Sequence, residues 1–419
     1  MGNFSVRKVR FHNGERVSLL MRADGLPVHE VVLFLDRYRR RGRAANTLNG
    51  ICSALALLYR HLTSARVDLL ARLHEARFLT RQELDRVAVA VQFRGDHQEA
   101  PGAESASNVI NLRSVHPKLK KARSLEVNAV DPETQGTRIR YIAHFLYFVA
   151  DYVAAELDVA AGDRLRLSAK RELEAFKATA PRNGRRAKVG AREGLSEEEQ
   201  DKVLDVVRPG SPKNPWVRGY VQERNFMIVA VLLATGMRRG ELLGLQIKDV
   251  GASESTLSVL RRADAIEDTR GIQPNTKTND RVLELHPRVM RRLWLYINEH
   301  RHSIPAARKH PYIFVADDGM PLSLASIDKI FRDIREACAS LTVRLTSHVM
   351  RHTWNERFSE EADRLELSDV TEERARNAQQ GWSDNSKSAS VYTRRHAAKV
   401  GRKVSMAHQE KLSESIDTK

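Results

Sequence analysis

The chain has 419 residues, more than one compact core of ordinary size accommodates, so two domains with short extensions are expected. Its 70 Lys and Arg against 53 Asp and Glu give a formal net charge of +17 and a pI near 10.0, a balance that suits a polyanionic partner and fits nucleic acid, an anionic membrane surface or simple solubility. No stretch approaches the roughly 20 apolar residues of a membrane-spanning helix, and residues 1–10 lack the apolar core of a signal peptide, so a soluble chain with no membrane partner is expected. Cys52 and Cys338 stand far apart on helical patterns and are expected to be buried free thiols in a reducing compartment.

In chain order, residues 1–25 read as an N-terminal extension, and no strand pattern of any length precedes Pro181. Leu48, Ile51, Leu55, Leu58 and Leu62 alternate three- and four-residue steps and predict an amphipathic helix capped by Asn46. A second helix is predicted through Ile139, Ile142, Leu146, Val149 and Val153, with Pro132 and Gly136 marking the turn before it. Residues 26–178 are therefore expected to form a small helical bundle, interrupted by a loop insertion near 98–126 whose start, 98–108, is rich in small and polar residues.

Two basic clusters stand out. Arg37, Arg39, Arg40, Arg41 and Arg43 crowd the first, while Arg182, Arg185, Arg186, Lys188 and Arg192 lie in a Pro- and Gly-containing stretch, 179–194, that reads as an extended linker. Arg39, Arg40, Arg41, Arg182, Arg185 and Arg186 are the candidate DNA-binding residues, although a solvated, solubilising face is the plain alternative for either cluster.

After the linker, Ser196 and Glu199 have capping-box spacing and predict a helix through Val203, Leu204 and Val207. Residues 226–234 are apolar nearly all round, as in a helix at the centre of a core, and Gly236 is placed to end it in a left-handed cap. Residues 256–261 and 281–285 alternate like strands around the polar stretch 275–280, predicting a small sheet with a tight turn. Helices are expected over 324–339, 347–361 and near Tyr392. The fold class that results is mainly α with a small antiparallel sheet.

The segment Ala234-Thr235-Gly236-Met237-Arg238-Arg239-Gly240-Glu241-Leu242 resembles the first signature of the tyrosine recombinases, the phage integrase family. Ser347-His348-Val349-Met350-Arg351-His352-Thr353 resembles its second, His-x-x-Arg, and Val391-Tyr392-Thr393 its tyrosine box. The resemblance, which covers roughly residues 195–396, adds Lys277 and Trp382, the latter where many members have histidine. It implies a helical core-binding domain over 26–178, a catalytic domain over 195–402 and a C-terminal tail over 403–419, with the chain after His396 contacting a neighbouring subunit. A homotetramer on paired sites in double-stranded DNA, and a cytoplasmic, nucleoid-associated protein of prokaryotic or phage origin, are implied as well. One departure is an acidic stretch between Arg351 and Trp382, with Glu360, Glu361, Asp363, Glu366, Asp369, Glu372 and Glu373, expected to face away from DNA.

These residue types suit the chemistry. Cleaving a phosphodiester without water takes a nucleophile, a donor for the leaving oxygen, and cationic donors around the two non-bridging oxygens. Arg238 and Arg351 offer planar forks to phosphate, and His348 and Trp382 complete the clamp. Tyr392 is the expected nucleophile, His348 the group that takes its proton, and Lys277 the acid for the leaving oxygen; the resemblance implies that the link is a 3′-phosphotyrosine and that the 5′ hydroxyl leaves. Glu241, one turn after Arg238, is expected to orient the arginines. No metal or other cofactor is expected, because the arginines supply the charge. The same residues would serve a topoisomerase IB-like enzyme or a telomere resolvase, and the basic clusters alone would serve a DNA-binding regulator without cleavage activity.

Overall fold

The structure, a computed structural model, describes residues 4–93, 129–181, 194–274, 278–383 and 400–410. The chain divides into two compact units, one from Met1–Phe11 and Arg16–Ala187, the other from His12–Glu15 and Lys188–Lys419. It is mainly α-helical, as the sequence predicts, with two small antiparallel sheets among the described residues where one was expected.

The first unit opens with a hairpin that the sequence reading missed. Strands β1 (Ser5–Arg10) and β2 (Arg16–Met21) pair antiparallel, Ser5 opposite Met21 and Arg10 opposite Arg16. The signal was present: Asn13-Gly14 lies between the strands, Gly14 takes φ +87°, and the Asn13 side chain accepts from Glu15 N at 3.0 Å. Residues 1–25 are thus not a mere extension, since Leu20 is fully buried in the core of this unit.

The hairpin lies on α2 (Ala45–Ser64), which follows α1 (His29–Arg40) and precedes the short α3 (Leu69–His74) and α4 (Arg81–Ala90). Leu48, Ile51, Leu55, Leu58 and Leu62 of α2 are all buried, so its predicted stripe is its core face. Its start differs from expectation: Ala44, extended and without a side-chain cap, is the N-cap, and Asn46 lies inside the first turn. α5 (Pro132–Ala154) also begins earlier than predicted, with Asp131 accepting from Thr134 N and Pro132 in the first turn, which leaves Gly136 within the helix and buried. Proline suits that position because its missing N–H has no partner there anyway. α6 (Val159–Ala178) returns along α5 and completes the bundle. The insertion near 98–126 and the linker arginines fall outside the described residues.

The second unit begins as the capping box predicts. Helix α7 (Glu197–Val207) has Ser196 accepting from Glu199 N at 3.2 Å while Glu199 accepts from Ser196 N at 3.0 Å. Helix α8 (Gly219–Thr235) runs through the middle, with Met227, Ile228, Val229, Val231 and Leu232 fully buried, and Gly236 ends it at φ +61°. A short α9 (Arg239–Gly244) leads to the sheet of β3 (Val250–Gly251), β4 (Thr256–Val259) and β5 (Arg281–Glu284), in the order β3-β4-β5. The β4–β5 connection is not the tight turn expected. It spans residues 260–280 and is pinned inward by Arg270, which donates to Asp268, Leu243 O and Leu322 O and lies 4.6 Å from the Tyr312 ring centre.

Helices α10 (Pro287–Leu295), α11 (Leu324–Ala337), α12 (Ser347–Arg364) and α13 (Asp369–Gln380) complete this unit, with α7, α10 and α12 packed against α8. Both cysteines are free and buried; burial pushes the Cys52 thiol up to about 12. Among the described residues, no helix is long and apolar enough to cross a membrane.

Candidate functional site

The centre of the site is the carboxyl end of α8. A helix leaves its last carbonyls without intrahelical partners, and here three side chains from later in the chain supply them. Trp354 Nε1 donates to Ala234 O at 3.1 Å, Gln380 Nε2 to Thr235 O at 3.3 Å, and Arg351 Nη1 to Gly236 O at 2.8 Å. A cation at this end also meets the negative pole of the helix dipole. The approach is close enough to require glycine: a Cβ on Gly236 would lie 2.8 Å from the Trp354 ring.

Two of the predicted arginines are thereby brought to one place. Gly236 turns the chain so that Met237 enters the core and Arg238 follows with its side chain one third exposed, while Arg351 is held at Gly236 O, two positions back along the chain from Arg238. Arg351 is only 1 % exposed, so an anion reaching it would be bound with little competing water, where charge-assisted hydrogen bonds are strongest. Its guanidinium lies 5.1 Å from the ring centre of Trp382, itself buried, a cation–π contact worth about 0.5–2 kcal/mol. Trp382 is positioned by Gly381 at φ +63° and by its own N–H donating to Asn377 O at 2.9 Å.

His348 lies one turn before Arg351 on α12, exposed, its ring edge-on to His352 with centres 4.7 Å apart. Thr346 caps this helix by accepting from Val349 N, which fixes where His348 and Arg351 fall.

Glu241 is the hub of the polar network. Its side chain has no solvent exposure and accepts from Arg238 N at 3.0 Å, Arg281 Nη2 at 2.7 Å and Thr278 Oγ1 at 2.7 Å, with Arg238 Nη1 at 3.3 Å. Burial pushes this carboxyl up, but the Arg281 charge and the hydrogen bonds from Arg281, Arg238 and Thr278 outweigh it and hold Glu241 below the usual carboxylate range. Glu241 therefore touches Arg238, while Arg351 donates to Gly236 O and lies against the Trp382 ring.

Lys277 and Tyr392 lie outside the described residues, as do Arg182, Arg185 and Arg186. Thr278, which follows Lys277, is tied to Glu241, and Asn279 N donates to Gly381 O at 2.9 Å. Arg39 and Arg40 end α1 and Arg41 caps it, all in the first unit. The acidic stretch is not wholly a solvent face, because Glu372 turns inward to the fully buried Arg376, which also donates to Ser359 Oγ at 2.7 Å and Asn355 O at 2.8 Å. Sequence reasoning missed Thr278, Arg281, Trp354 and Gln380. Each is a polar or aromatic residue, Thr278 in the bend before β5 and the others on a helix or strand, to which only the tertiary contact gives a role. Among the described residues, no group of three or more His, Cys, Asp or Glu side chains is arranged to hold a metal ion.

Part of the chain is similar to known proteins. Residues 195–396 match the model of the phage integrase family. The integrase of Staphylococcus phage L54a is 29% identical over 132 residues, which are 30% of this chain and 37% of that protein, so the match spans little more than a third of the relative. Among solved structures, XerA recombinase aligns at 18% identity over 87% of this chain and 92% of its own, with a TM-score of 0.36. XerH site-specific recombinase bound to its palindromic difH substrate aligns at 15% identity over 78% and 85%, with a TM-score of 0.41. Residues 195–396, just under half of the 419, thus form a domain that matches the phage integrase family.

Proposed function

We propose that this protein is a site-specific DNA recombinase that cleaves and rejoins strands of double-stranded DNA through a 3′-phosphotyrosine on Tyr392. The observation that supports the reading best is the meeting of Arg238 and Arg351, far apart in sequence, at the end of α8, one backed by Glu241 and the other by Trp382. Two guanidinium forks, that of Arg351 shielded from water and that of Arg238 one third exposed, suit the two non-bridging oxygens of a phosphodiester.

In this scheme the Tyr392 oxygen forms a bond to phosphorus as the bond to the 5′ oxygen breaks. The phenolic proton passes to His348, since a tyrosine of pKa about 10 is a weak nucleophile at neutral pH. Lys277 gives a proton to the departing 5′ oxygen, and the two arginines carry the charge that develops on the phosphoryl group, with no step that calls for a metal. Rejoining is the reverse reaction with a different 5′ hydroxyl. The first unit is the core-binding domain, 179–194 the basic linker, and the working assembly a homotetramer on paired sites.

The test is covalent capture on nicked duplexes selected from a random-sequence library. Tyr392→Phe should bind these duplexes as the unaltered protein does and form no denaturant-resistant adduct. An adduct that persists in Tyr392→Phe overturns the assignment.

A further inference from the structure

Arg281 opens β5, and its three guanidinium nitrogens go to three different stretches of chain. Nη2 donates to Glu241 Oε2 at 2.7 Å, Nη1 to Thr278 Oγ1 at 3.1 Å and Nε to Gln379 O at 2.8 Å. Its side chain is 5 % exposed and the Glu241 side chain not at all. The seat is tight: a Cβ on Gly381 would lie 2.9 Å from Arg281 Nη1, so the residue ahead of Trp382 must be small for the arginine to pass.

Glu241 thus stands between two arginines that it treats differently. Arg281 and Thr278 hold it at 2.7 Å, whereas the Arg238 guanidinium stays at 3.3 Å, longer than the roughly 2.7–2.9 Å of a strong charge-assisted bond. Among the described residues, a buried carboxylate that lost Arg281 would keep Arg238 as its cationic neighbour and would draw it in. We propose that Arg281 is a positioning residue: by holding the charge of Glu241, it leaves the Arg238 guanidinium available to a phosphate, and by bonding Thr278 and Gln379 it ties the segments bearing the first signature, the β4–β5 connection and Trp382 into one frame. The inference rests on the reading of Arg238 as a phosphate ligand.

The test compares single-turnover adduct formation, duplex binding and thermal stability on the selected nicked duplexes. Arg281→Met should retain binding and slow adduct formation by about 100-fold, the scale expected when a reacting group's partner is misplaced by about 1 Å. Glu241→Gln in the same background should recover much of that loss, because the surplus negative charge that captures Arg238 is gone. Arg281→Lys, which keeps the charge and loses the fork, should fall between them, and it carries the test if Arg281→Met does not fold, its deficit then having to shrink with Glu241→Gln.

Adduct formation by Arg281→Met as fast as the unaltered protein overturns the inference. So does a folded Arg281 variant whose defect Glu241→Gln leaves unchanged, the behaviour of a brace with no electrostatic role. The underlying reading of the site fails by a different result, namely an unimpaired Arg238→Ala; an inactive Arg238→Ala beside a fully active Arg281→Met overturns the role of Arg281 alone.

Discussion

In the first unit the buried side chains are nearly all hydrocarbon: among its described residues only Arg16, Ser18 and Glu172 are polar and buried, against a core of leucines, isoleucines, valines and the aromatic group Phe34, Tyr59, Phe145 and Phe148. The second unit has an apolar core as well, but Arg224, Arg270, Arg301, Arg351 and Arg376 are buried in it, with Glu241, Asp249 and Asp268. Apolar burial is non-directional and tolerates small shifts, whereas a buried guanidinium is stable only where acceptors stand at fixed places. The first arrangement gives a platform; the second fixes the orientation of side chains, which is what a phosphate-handling site needs.

The contrast predicts unequal responses to mutation, and the tryptophans allow the units to be followed separately, since Trp216, Trp294, Trp354 and Trp382 all lie in the second. The largest effect on stability is expected from Arg376→Ala. It removes the cationic partner of a buried ion pair, leaving Glu372 with the Ser359 hydroxyl and taking the Arg376 donor from Asn355, a type of change that costs about 3–5 kcal/mol. In urea titrations the tryptophan fluorescence transition should move to lower denaturant; an unmoved transition would mean that the buried arginines of this unit contribute nothing to its stability.

Next in size is Leu55→Ala on α2, a fully buried leucine whose truncation should cost about 3 kcal/mol through lost transfer energy and a residual cavity. Because no tryptophan lies in its unit, helix content measured by circular dichroism should fall at lower urea while tryptophan fluorescence holds its midpoint. A common shift of both signals would show that the two units unfold as one, and the contrast drawn between them would lose its thermodynamic meaning.

A smaller, pH-dependent effect sharpens the same comparison. Glu199 and Glu241 are both desolvated, which raises a carboxyl, yet both lie below the usual range because Thr342 and Ser196 donate to the first and Arg281, Arg238 and Thr278 to the second. A folded-state pKa below the unfolded one gives stability that is present above the unfolded value, near 4.5, and lost as pH falls through the folded value. The tryptophan transition should therefore weaken on acidification below about 4.5, and Glu241→Gln should flatten that dependence. An acid profile identical in Glu241→Gln would show that this carboxylate is not held ionised by folding.

The same physics explains what was legible in the sequence. The stripes of α2 and α5, the capping box of α7 and the Gly236 cap are local patterns, set by helix period and by the chemistry of one turn, and they appear where expected. The β1–β2 hairpin was legible in Asn13-Gly14 and overlooked, because the charged residues around Val6 and Val9 mask a two-residue period. Arg281 was not legible at all. On a strand its alternation marks it only as polar, and that three acceptors from residues 241, 278 and 379 converge on it is a property of the tertiary fold. The long β4–β5 connection was misread for a related reason, since the Asp268–Arg270 pair that pins it inward looks, in sequence, like any polar loop.

The smallest expected effect on stability belongs to the basic end of α1. Arg39 and Arg40 share Asp36, at 3.7 and 2.6 Å, and their side chains are 49 % and 81 % exposed, so water and salt screen both pairs and each is worth about 0–1 kcal/mol. Replacing Arg39, Arg40 and Arg41 together with Gln should leave the circular dichroism transition within about 1 kcal/mol of its place. A DNA-binding role would appear elsewhere. Each arginine that neutralises a phosphate releases a counterion, so the slope of log affinity against log salt should flatten by about 0.9 for every phosphate left without its arginine, on all duplex sequences alike. A slope unchanged in the triple variant would assign this cluster to solubility alone, and the platform unit would then have to meet DNA through another face. A large loss of stability would instead mean that the first unit, like the second, relies on directed charge interactions.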